Sequence, residues 1–331
     1  MPNKPPYTIT EKAADYLAKI VEIVTRLEYG TGFKGDIRLH RKNRLRTIHS
    51  SLAIEGNSLT LGEVTAVIEG KVVAGKQTEI KEVKNAYEAY DKIMTFDPYD
   101  VIDFLKAHKL MTQGLVEEAG KFRSGDVGVF DGDLAVHIGA RPQFVPDLIK
   151  DLLDWGRKSD LHPVLKSAIL HYEIETIHPF ADGNGRMGRL WQTLLLAKWN
   201  EIFAWIPMES AMNQNRPEYY DALYYGQHSG DSSRFIEFTL SALLEILQKT
   251  NADLLAAEQD NAQVTEQVDR AEKIIEFCAD PKSREEIQSF VGIAHREHFR
   301  AKILKPLLDS GKLKMTIPDK PNSRNQKYVK A

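Results

Sequence analysis

One run of twelve residues, His178 to Arg189, constrains this chain more than any other feature. It reads HPFADGNGRMGR and places a base, a carboxylate, paired glycines and two arginines close together. Gly183 and Gly185 allow a tight turn in which successive backbone N–H groups converge on an anion. The pattern of Leu190 to Trp199 predicts a helix directly after the turn. The run therefore lies at a helix N-terminus, a position that favours phosphate.

The side chains of this run also suit phosphate chemistry. Arg186 and Arg189 are three residues apart, so they share one helix face and can grip phosphate oxygens. Asp182 can hold a divalent cation against the same phosphates, and His178 is the one group nearby that can take a proton near neutral pH. A helix cap, a turn and a buried histidine would explain each residue alone. They would not explain both arginines together with both glycines.

The run resembles, position for position, the signature HPFxDGNGRxxR of Fic-domain proteins. The resemblance implies a mostly helical fold and transfer of AMP from ATP to a hydroxyl side chain (Ser, Thr or Tyr) of a target protein. It implies that His178 is the general base and that Asp182 ligates Mg²⁺ on the α- and β-phosphates. The other implied nucleotide contacts are an anion hole from Gly183, Asn184 and Gly185, an α/β-phosphate contact from Arg186 and a γ-phosphate contact from Arg189. Such transfers depend mainly on positioning and charge neutralisation.

A second constellation lies well before this run. Ser51 and Glu55 are four residues apart, on one face near a helix end at Gly56. Taken alone, Glu55 is an exposed acid before a glycine stop. Beside the run at 178–189, the string SLAIEG resembles the inhibitory helix motif of Fic proteins, [S/T]xxxE[G/N]. That resemblance implies that Glu55 pairs with Arg189 and competes with the γ-phosphate, since an arginine held by a carboxylate is no longer free to bind phosphate.

Apolar spacing and capping residues predict helix after helix along most of the chain. The predicted helices lie near residues 11–30, 38–54, 60–70, 81–93, 98–113, 146–155, 163–177, 190–199, 217–225 and 233–255. The exception is a pair of short apolar segments, 127–130 and 134–138, joined by Asp131-Gly132-Asp133, a pattern typical of a β-hairpin. We therefore expect a mostly α protein, with an N-terminal helical region over 1–97 and a Fic-type core with a small hairpin over 98–255.

The last part of the chain, 256–331, differs in charge and in pattern. The whole chain has a net charge of −3, yet Lys282 to Ala331 holds twelve Lys and Arg against five Asp and Glu. After a polar linker helix, three short helical stretches and two strands predict a winged helix-turn-helix domain. Its candidate phosphate contacts are Arg296, Arg300, Lys302, Lys320 and Arg324. A basic surface favours DNA in general, but winged helices also dock proteins, so both partners stay open for 271–331.

The hairpin corresponds to the flap of Fic domains. We expect an extended segment of the target protein to bind along 127–138 through backbone hydrogen bonds, although the hairpin could also simply cover the core. His137 in this hairpin is interpreted as structural. Tyr219 and Tyr220 lie where Fic proteins place aromatic contacts to the nucleotide, and core packing is the alternative for both.

Composition limits the remaining possibilities. The chain of 331 residues is 42% hydrophobic and 27% charged, which is typical of a globular protein of two or three domains. It has no apolar run long enough to span a membrane and no signal-peptide core at its start, so we expect a cytoplasmic protein without a membrane partner. Its single cysteine, Cys278, excludes an internal disulfide and is expected to pack as a small hydrophobe.

The prediction is thus a protein adenylyltransferase that uses ATP and Mg²⁺ and is auto-inhibited by Glu55. One rival is another phosphate-containing transfer, such as phosphoryl or phosphocholine transfer. The kinase-like branch of the family has a lysine where this chain has Gly185, which favours AMP. A second rival is the reverse, de-AMPylating reaction, for which Glu55 would position water. A third is a DNA-binding regulator whose Fic domain senses nucleotide. A homo-oligomer is compatible with each of these.

Overall fold

The computed structural model describes residues 4–29, 37–131, 134–321 and 323–331, with side chains described outside 129–138, 257–266 and 268. The chain forms two compact units, Met1–Leu254 and Leu255–Ala331. Within the described residues, no helix is both long enough and apolar enough to cross a lipid bilayer.

The first unit is built almost entirely of helices, as the sequence predicts. Its helices are α1 (Glu11–Tyr29), α2 (Ile37–Ile54), α3 (Leu61–Ile68), α4 (Gln77–Asp91), α5 (Val101–Thr112), α6 (Val145–Lys158), α7 (Pro163–Ile177), α8 (Asn184–Trp199), α9 (Met208–Gln214), α10 (Arg216–Ser229) and the first part of α11 (Ser233–Phe277). The rest of α11 belongs to the second unit. Short 3₁₀ turns occupy 93–95, 142–144 and 201–204.

Local capping explains several helix starts, and one of them corrects a prediction. Thr60 caps α3 through a capping box in which its side chain accepts from the Glu63 N–H. The sequence predicts the fifth helix from residue 98. It begins at Val101, because the Asp100 side chain accepts from the N–H of Asp103 and so caps the helix.

α7 and α8 form the centre of the first unit and pack against each other. Nearly every residue of α8 is buried, as expected for a helix that is surrounded by others on all sides. α2 packs against α9 and also reaches α8. The run at 178–189 connects the end of α7 to the start of α8, so it is anchored on the two most enclosed helices.

The predicted hairpin is present between α5 and α6. β1 (Gly128–Asp131) pairs antiparallel with β2 (Leu134–Ile138), and the register shifts between Val129 and Phe130. The turn residues Gly132 and Asp133 lie outside the described residues, as does the side chain of His137.

The second unit has its own small core. Its elements after α11 are β3 (Lys282–Ser283), α12 (Arg284–Phe290), α13 (Arg296–Phe299), a π-helical segment (Arg300–Leu304), α14 (Lys305–Asp309), β4 (Leu313–Met315) and β5 (Lys327–Lys330). The strands form an antiparallel sheet in the order β3-β5-β4. Cys278 is buried in this core, as predicted, beside Ile274 and Phe299. The assignment as a winged helix stays a prediction.

Candidate functional site

The run at 178–189 begins with a backbone turn of unusual geometry. His178 is the C-cap residue of α7 and has φ 53° and ψ 61°, the one positive φ at a non-glycine residue in the described part of the chain. A left-handed conformation costs a residue with a Cβ on the order of 1–2 kcal/mol, and such strain persists only where the surroundings hold it. The turn directs the chain sharply away from the α7 axis.

The half-buried His178 side chain is oriented by the same turn. Its Nδ1 lies 3.3 Å from the backbone oxygen of Glu175. Because a carbonyl oxygen can only accept, Nδ1 carries the proton in this contact, and the lone pair of the neutral ring is then on Nε2. This tautomer fits the predicted role of a general base.

Asn184 closes the loop rather than facing a ligand. Its Oδ1 accepts from the Phe180 N–H at 2.8 Å, and its Nδ2 donates to the Phe180 oxygen at 2.9 Å. Both ends of the side chain bond to the loop, and the backbone N–H remains as a donor for the anion hole expected for this residue. The first N–H groups of a helix have no intrahelical partner, and α8 begins at this residue.

His108 also holds the loop, and no local sequence pattern predicts this role. Its Nδ1 accepts from the Gly120 N–H at 2.9 Å, so Nε2 carries the proton and donates to the backbone oxygen of Asp182 at 3.0 Å. Its ring stacks on Phe180 with centroids 3.6 Å apart. Burial lowers the pKa of His108 from 6.5 to about 4, which keeps the ring neutral while it holds the loop.

Arg189 is the buried residue of the site that contacts both Ser51 and Glu55. Its side chain is 0% exposed, and Nη2 donates to Glu55 Oε1 at 2.7 Å. Nε donates to Ser51 Oγ at 3.1 Å, and Nη2 also reaches the Ser51 backbone oxygen at 3.0 Å. Burial by itself would lower the pKa of Arg189, but the charge of Glu55 and smaller neighbouring influences leave it above its ordinary value. The expected pairing of Glu55 with Arg189 is present in the structure.

Glu55 covers the first turn of α8. A Cβ placed on Gly185 would lie 2.2 Å from Glu55 Oε1 and 3.0 Å from Arg189 Nη1. A side chain at this position would therefore displace the Glu55 carboxylate from where it lies. Arg189 Nη1 is buried and has no hydrogen-bond partner, an arrangement that usually calls for an acceptor. The carboxylate of Glu55, whose side chain is 36% exposed, thus occupies the helix N-terminus where the sequence predicted a phosphate.

The turn that carries Glu55 is held on both sides. Gly56 adopts φ +92° directly after α2, a conformation that glycine takes without strain. Asn57 Nδ2 donates to Glu82 Oε2 at 2.8 Å. On the opposite side, the Tyr220 hydroxyl donates to the Ile54 backbone oxygen at 3.2 Å. The turn after α2 that carries Glu55 is therefore an ordered part of the site.

Arg186 and Asp182 form a second charged pair at the loop. Arg186 Nη2 donates to Asp182 Oδ2 at 2.8 Å, and Asp182 Oδ1 accepts from the Gly183 N–H at 2.7 Å. Arg186 Nη1 lies 3.6 Å from Glu82 Oε1. The Asp182 side chain is 57% exposed, and Gly183 has φ +90°. Arg186 and Arg189 thus point to different partners, although they lie on the same helix face.

The two candidate tyrosines have different environments. Tyr219 is only 1% exposed. Its hydroxyl donates to Glu175 Oε1 at 3.2 Å, and its ring packs against Phe235, which favours the core-packing alternative over a nucleotide contact. Tyr220 is 43% exposed and borders the Glu55 turn. Tyr220 therefore stays a candidate for the nucleotide base.

A buried polar network continues from Arg189 into the core. The hydroxyl of Tyr90 donates to Glu209 Oε1 at 2.8 Å, and the hydroxyl of Thr193 donates to the same oxygen at 3.0 Å. Burial raises the pKa of Glu209, against the opposing influence of these bonds. The carboxyl group of Glu209 lies close enough to feel the charge of Arg189. This network extends the enclosed polar environment of the arginine beyond Ser51.

A magnesium site can be judged from the residues alone. The described residues contain no group of three or more His, Cys, Asp or Glu side chains placed to hold a metal. Mg²⁺ commonly binds through one or two carboxylates together with substrate phosphates. Asp182, exposed at the start of α8, fits that mode.

Comparison with known proteins places the chain among relatives of one kind. Residues 98–196 match the model of the Fic/DOC family, and residues 266–329 match that of the "Filamentation induced by cAMP protein Fic-like, C-terminal domain". The chain is 28% identical over 273 residues to Protein adenylyltransferase fic-1 of Caenorhabditis elegans, covering 76% of this chain and 50% of that protein. It is 33% identical over 202 residues to Protein adenylyltransferase Fic of Nematostella vectensis, covering 58% and 45%. The chain spans about half the length of these curated relatives.

A solved structure matches almost the whole chain. It is the crystal structure of a Fic family protein from Desulfovibrio desulfuricans G20, which is 41% identical. The match covers 99% of this chain and 98% of that one, with a TM-score of 0.75. The structure of Fic-1 from C. elegans, with 23% identity and a TM-score of 0.61, has the same fold over 75% of this chain. The chain belongs to the Fic family.

Proposed function

We propose that this protein transfers AMP from ATP to a hydroxyl side chain of a target protein, and that Glu55 inhibits the transfer. The observation that carries the proposal is the contact of Glu55 with the buried Arg189 over the N-terminus of α8. A carboxylate in that place marks an anion site. The adenylyltransferase names of the relatives supply the reaction class.

The α8 N-terminus would receive the phosphates of ATP. Its first N–H groups and helix dipole favour negative charge, and Arg186 and Arg189 add two guanidinium groups. Asp182 would hold Mg²⁺, which would neutralise charge on the phosphates. A γ-phosphate oxygen could satisfy the Nη1 donor of Arg189 that has no partner while Glu55 is in place.

The transfer itself needs one proton acceptor. Nε2 of His178 would accept the proton of the target hydroxyl as its oxygen attacks the α-phosphorus. A new bond forms between that oxygen and phosphorus, the bond between the α-phosphorus and the bridging oxygen breaks, and pyrophosphate leaves. The left-handed turn at His178 would set the direction of the ring toward that hydroxyl.

The target would approach along the flap. β1 and β2 form a two-stranded sheet beside the His178 turn: the Ala140 N–H, just after β2, donates to the Ile177 backbone oxygen at 3.3 Å. A strand edge can register an extended peptide by backbone hydrogen bonds, which would bring its hydroxyl to His178. A de-AMPylating reaction, with Glu55 positioning water, would use the same groups in reverse.

The donor chemistry has a direct test. The Glu55→Gly protein, incubated with ATP and Mg²⁺ together with a lysate protein fraction, should transfer label from ATP labelled at the α-phosphate and not from ATP labelled at the γ-phosphate. Intact-mass spectrometry of modified protein should show the added mass of one AMP. Transfer of the γ-label alone would instead establish phosphoryl transfer.

The second unit offers a basic surface for a partner. Arg296, Arg300, Lys302, Lys320 and Arg324 are all exposed. Lysines and arginines that neutralise DNA phosphates release counterions, so binding of this kind weakens steeply with salt. These cations favour DNA as the first candidate partner, with a docked protein as the alternative.

We expect the full chain to bind a short duplex at low salt and to lose affinity as salt rises. A protein that makes three phosphate contacts should show a slope of log K against log salt of about −2.7. Fluorescence anisotropy between low and physiological salt would measure it. Replacing Arg296, Arg300 and Lys302 with glutamine should flatten the slope, whereas replacing Lys12 and Lys19 of α1 should not. No binding at low salt would leave the protein partner.

A further inference from the structure

A single buried arginine, Arg123, joins the His178 turn to both ends of the flap. Its Nε donates to the His178 backbone oxygen at 2.7 Å and its Nη1 to the Gly125 oxygen at 2.8 Å. Its Nη2 donates to the Ala140 oxygen and lies 3.5 Å from that of Ile177. One guanidinium thus binds carbonyl groups from three separate segments of chain.

The backbone around Arg123 reinforces the same connection. The Arg123 N–H donates to the Pro179 oxygen at 3.1 Å, and the Ala140 N–H donates to the Ile177 oxygen at 3.3 Å. The segment after β2 also approaches His178 closely. A Cβ on Gly139 would lie 2.9 Å from Arg123 Nη2 and 3.1 Å from the His178 Cβ. Glycine at this position therefore allows the flap end to pack directly on the histidine.

The chemistry of arginine suits this role and that of lysine does not. The guanidinium is planar and presents five donors in a fixed fork, whereas an ammonium is a compact charge on a flexible stem. The Nε, Nη1 and Nη2 atoms of Arg123 bind carbonyls of three separate segments, whereas all the donors of a lysine lie on one nitrogen. His178 is held in a left-handed conformation, and such a conformation persists only when its surroundings fix it. Arg123 supplies much of that fixation through the carbonyl of the histidine itself.

We propose that Arg123 is a positioning residue for AMP transfer, acting by fixing His178 relative to the flap. This inference rests on the proposed function, because it assigns His178 as the base and the flap as the place where the target hydroxyl arrives. Arg123 binds neither nucleotide nor target. It sets the distance and direction between His178 and the flap.

The test compares variants in the Glu55→Gly background, where transfer is released. Arg123→Gln and Arg123→Lys should both lower kcat by about 10²-fold, the loss expected for a misplacement of about 1 Å at the reacting groups. The KM for ATP should stay unchanged, since Arg186 and Arg189, which would bind the phosphates, lie on α8. Arg141→Gln removes an exposed arginine beside the flap and should leave kcat unchanged. Full activity in Arg123→Lys, or a raised KM for ATP with an unchanged kcat, would overturn the proposal.

A second measurement does not depend on activity. Hydrogen exchange should accelerate at least about tenfold at the amides of Ala140 and His178 in Arg123→Gln, while amides within α8 keep their protection. Unchanged exchange at both amides would overturn the proposal, as would equal loss throughout the first unit, which indicates general destabilisation. If the Glu55→Gly parent itself transfers no AMP, the proposed function fails, and the exchange result still decides whether Arg123 fixes the histidine turn.

Discussion

Replacing His178 with alanine is expected to reduce AMP transfer by about 10²–10⁴-fold, the usual contribution of a general base. The reason is that Nε2 of His178 would accept the proton of the incoming hydroxyl. The nucleotide should still bind, because the loop, Arg186 and Arg189 are unchanged. Transfer rates and ATP affinity, measured separately in the Glu55→Gly background, would distinguish these two effects.

Backbone strain requires a second variant for this experiment. His178 has a positive φ, which alanine tolerates poorly and asparagine tolerates better. His178→Asn therefore keeps the turn but removes the base, and it should lose as much activity as His178→Ala. His162→Asn at the opposite end of α7 is the matched control: His162 caps that helix, asparagine is a good cap, and activity should persist. If His178→Asn retained most of its activity, the histidine would not be the base.

Local features of the site could be predicted from the sequence because they depend on neighbouring residues. The glycine turn and the charged residues around it lie within twelve positions, and the helix follows directly along the chain. The pairing of Glu55 with Arg189 joins residues far apart in sequence. It could be predicted only because both residues fall within motifs resembling those of the family, and the structure shows the pair at 2.7 Å.

The residues that the sequence did not reveal act through long-range packing. His108 and Arg123 reach the run at 178–189 from another part of the chain, and neither residue belongs to a local pattern that predicts it. Tyr219 shows the converse. The resemblance to Fic proteins indicated a nucleotide contact for both Tyr219 and Tyr220, with core packing as the alternative. Tyr219 is buried and Tyr220 is exposed, so the two neighbours on α10 have different environments.

The predicted helix boundaries are wrong where helix propensity and packing favour different start positions. The sequence predicts the helix after the turn from Leu190 to Trp199. The structure begins α8 at Asn184, since burial between neighbouring helices outweighs the weak propensity of glycine. The functional consequence is direct: Gly185 lies within the first turn of α8, where the Glu55 carboxylate can lie against it.

Replacing Glu55 with glycine is expected to increase AMP transfer by on the order of 10–100-fold, which corresponds to a coupling free energy of about 1.4–2.7 kcal/mol. The carboxylate binds Arg189 Nη2 and covers Gly185. Its removal would leave both the guanidinium and the helix N-terminus to the phosphates. Glu55 lies beyond the last residue of α2, so glycine there should not disrupt the helix. Initial rates with α-labelled ATP would measure the change.

Glu55→Gln separates charge from shape. Glutamine keeps an oxygen that can accept from Arg189 but carries no charge, so its activity should lie between those of the parent and Glu55→Gly. Glu69→Gly removes a carboxylate that pairs only with Arg41 and Lys71 at the surface, and it should leave the rate unchanged. If Glu55→Gly transferred AMP no faster than the parent, Glu55 would not be inhibitory.

Replacing Glu55 with glycine should lower the thermal stability of the protein without nucleotide. Without Glu55, the buried Arg189 loses the carboxylate that it binds directly, which destabilises the protein. Because Glu55 is itself partly exposed, the loss should be smaller than for a fully enclosed pair. ATP then supplies the missing negative charge. Without nucleotide, the melting temperature of Glu55→Gly should therefore lie below that of the parent. When ATP and Mg²⁺ are added, it should increase by more than the melting temperature of the parent does.

The same variant distinguishes inhibition from the reverse reaction. If Glu55 only competes with the γ-phosphate, Glu55→Gly should gain transfer and release AMP from a modified protein no more slowly than the parent does. If Glu55 positions the water that removes AMP, release should fall in both Glu55→Gly and Glu55→Gln, because neither side chain can accept a proton from water. The Arg189 contact is compatible with both roles, since the carboxylate oxygen bound to Nη2 leaves its second oxygen to interact with water. Release of α-labelled AMP from pre-modified protein would therefore decide between them.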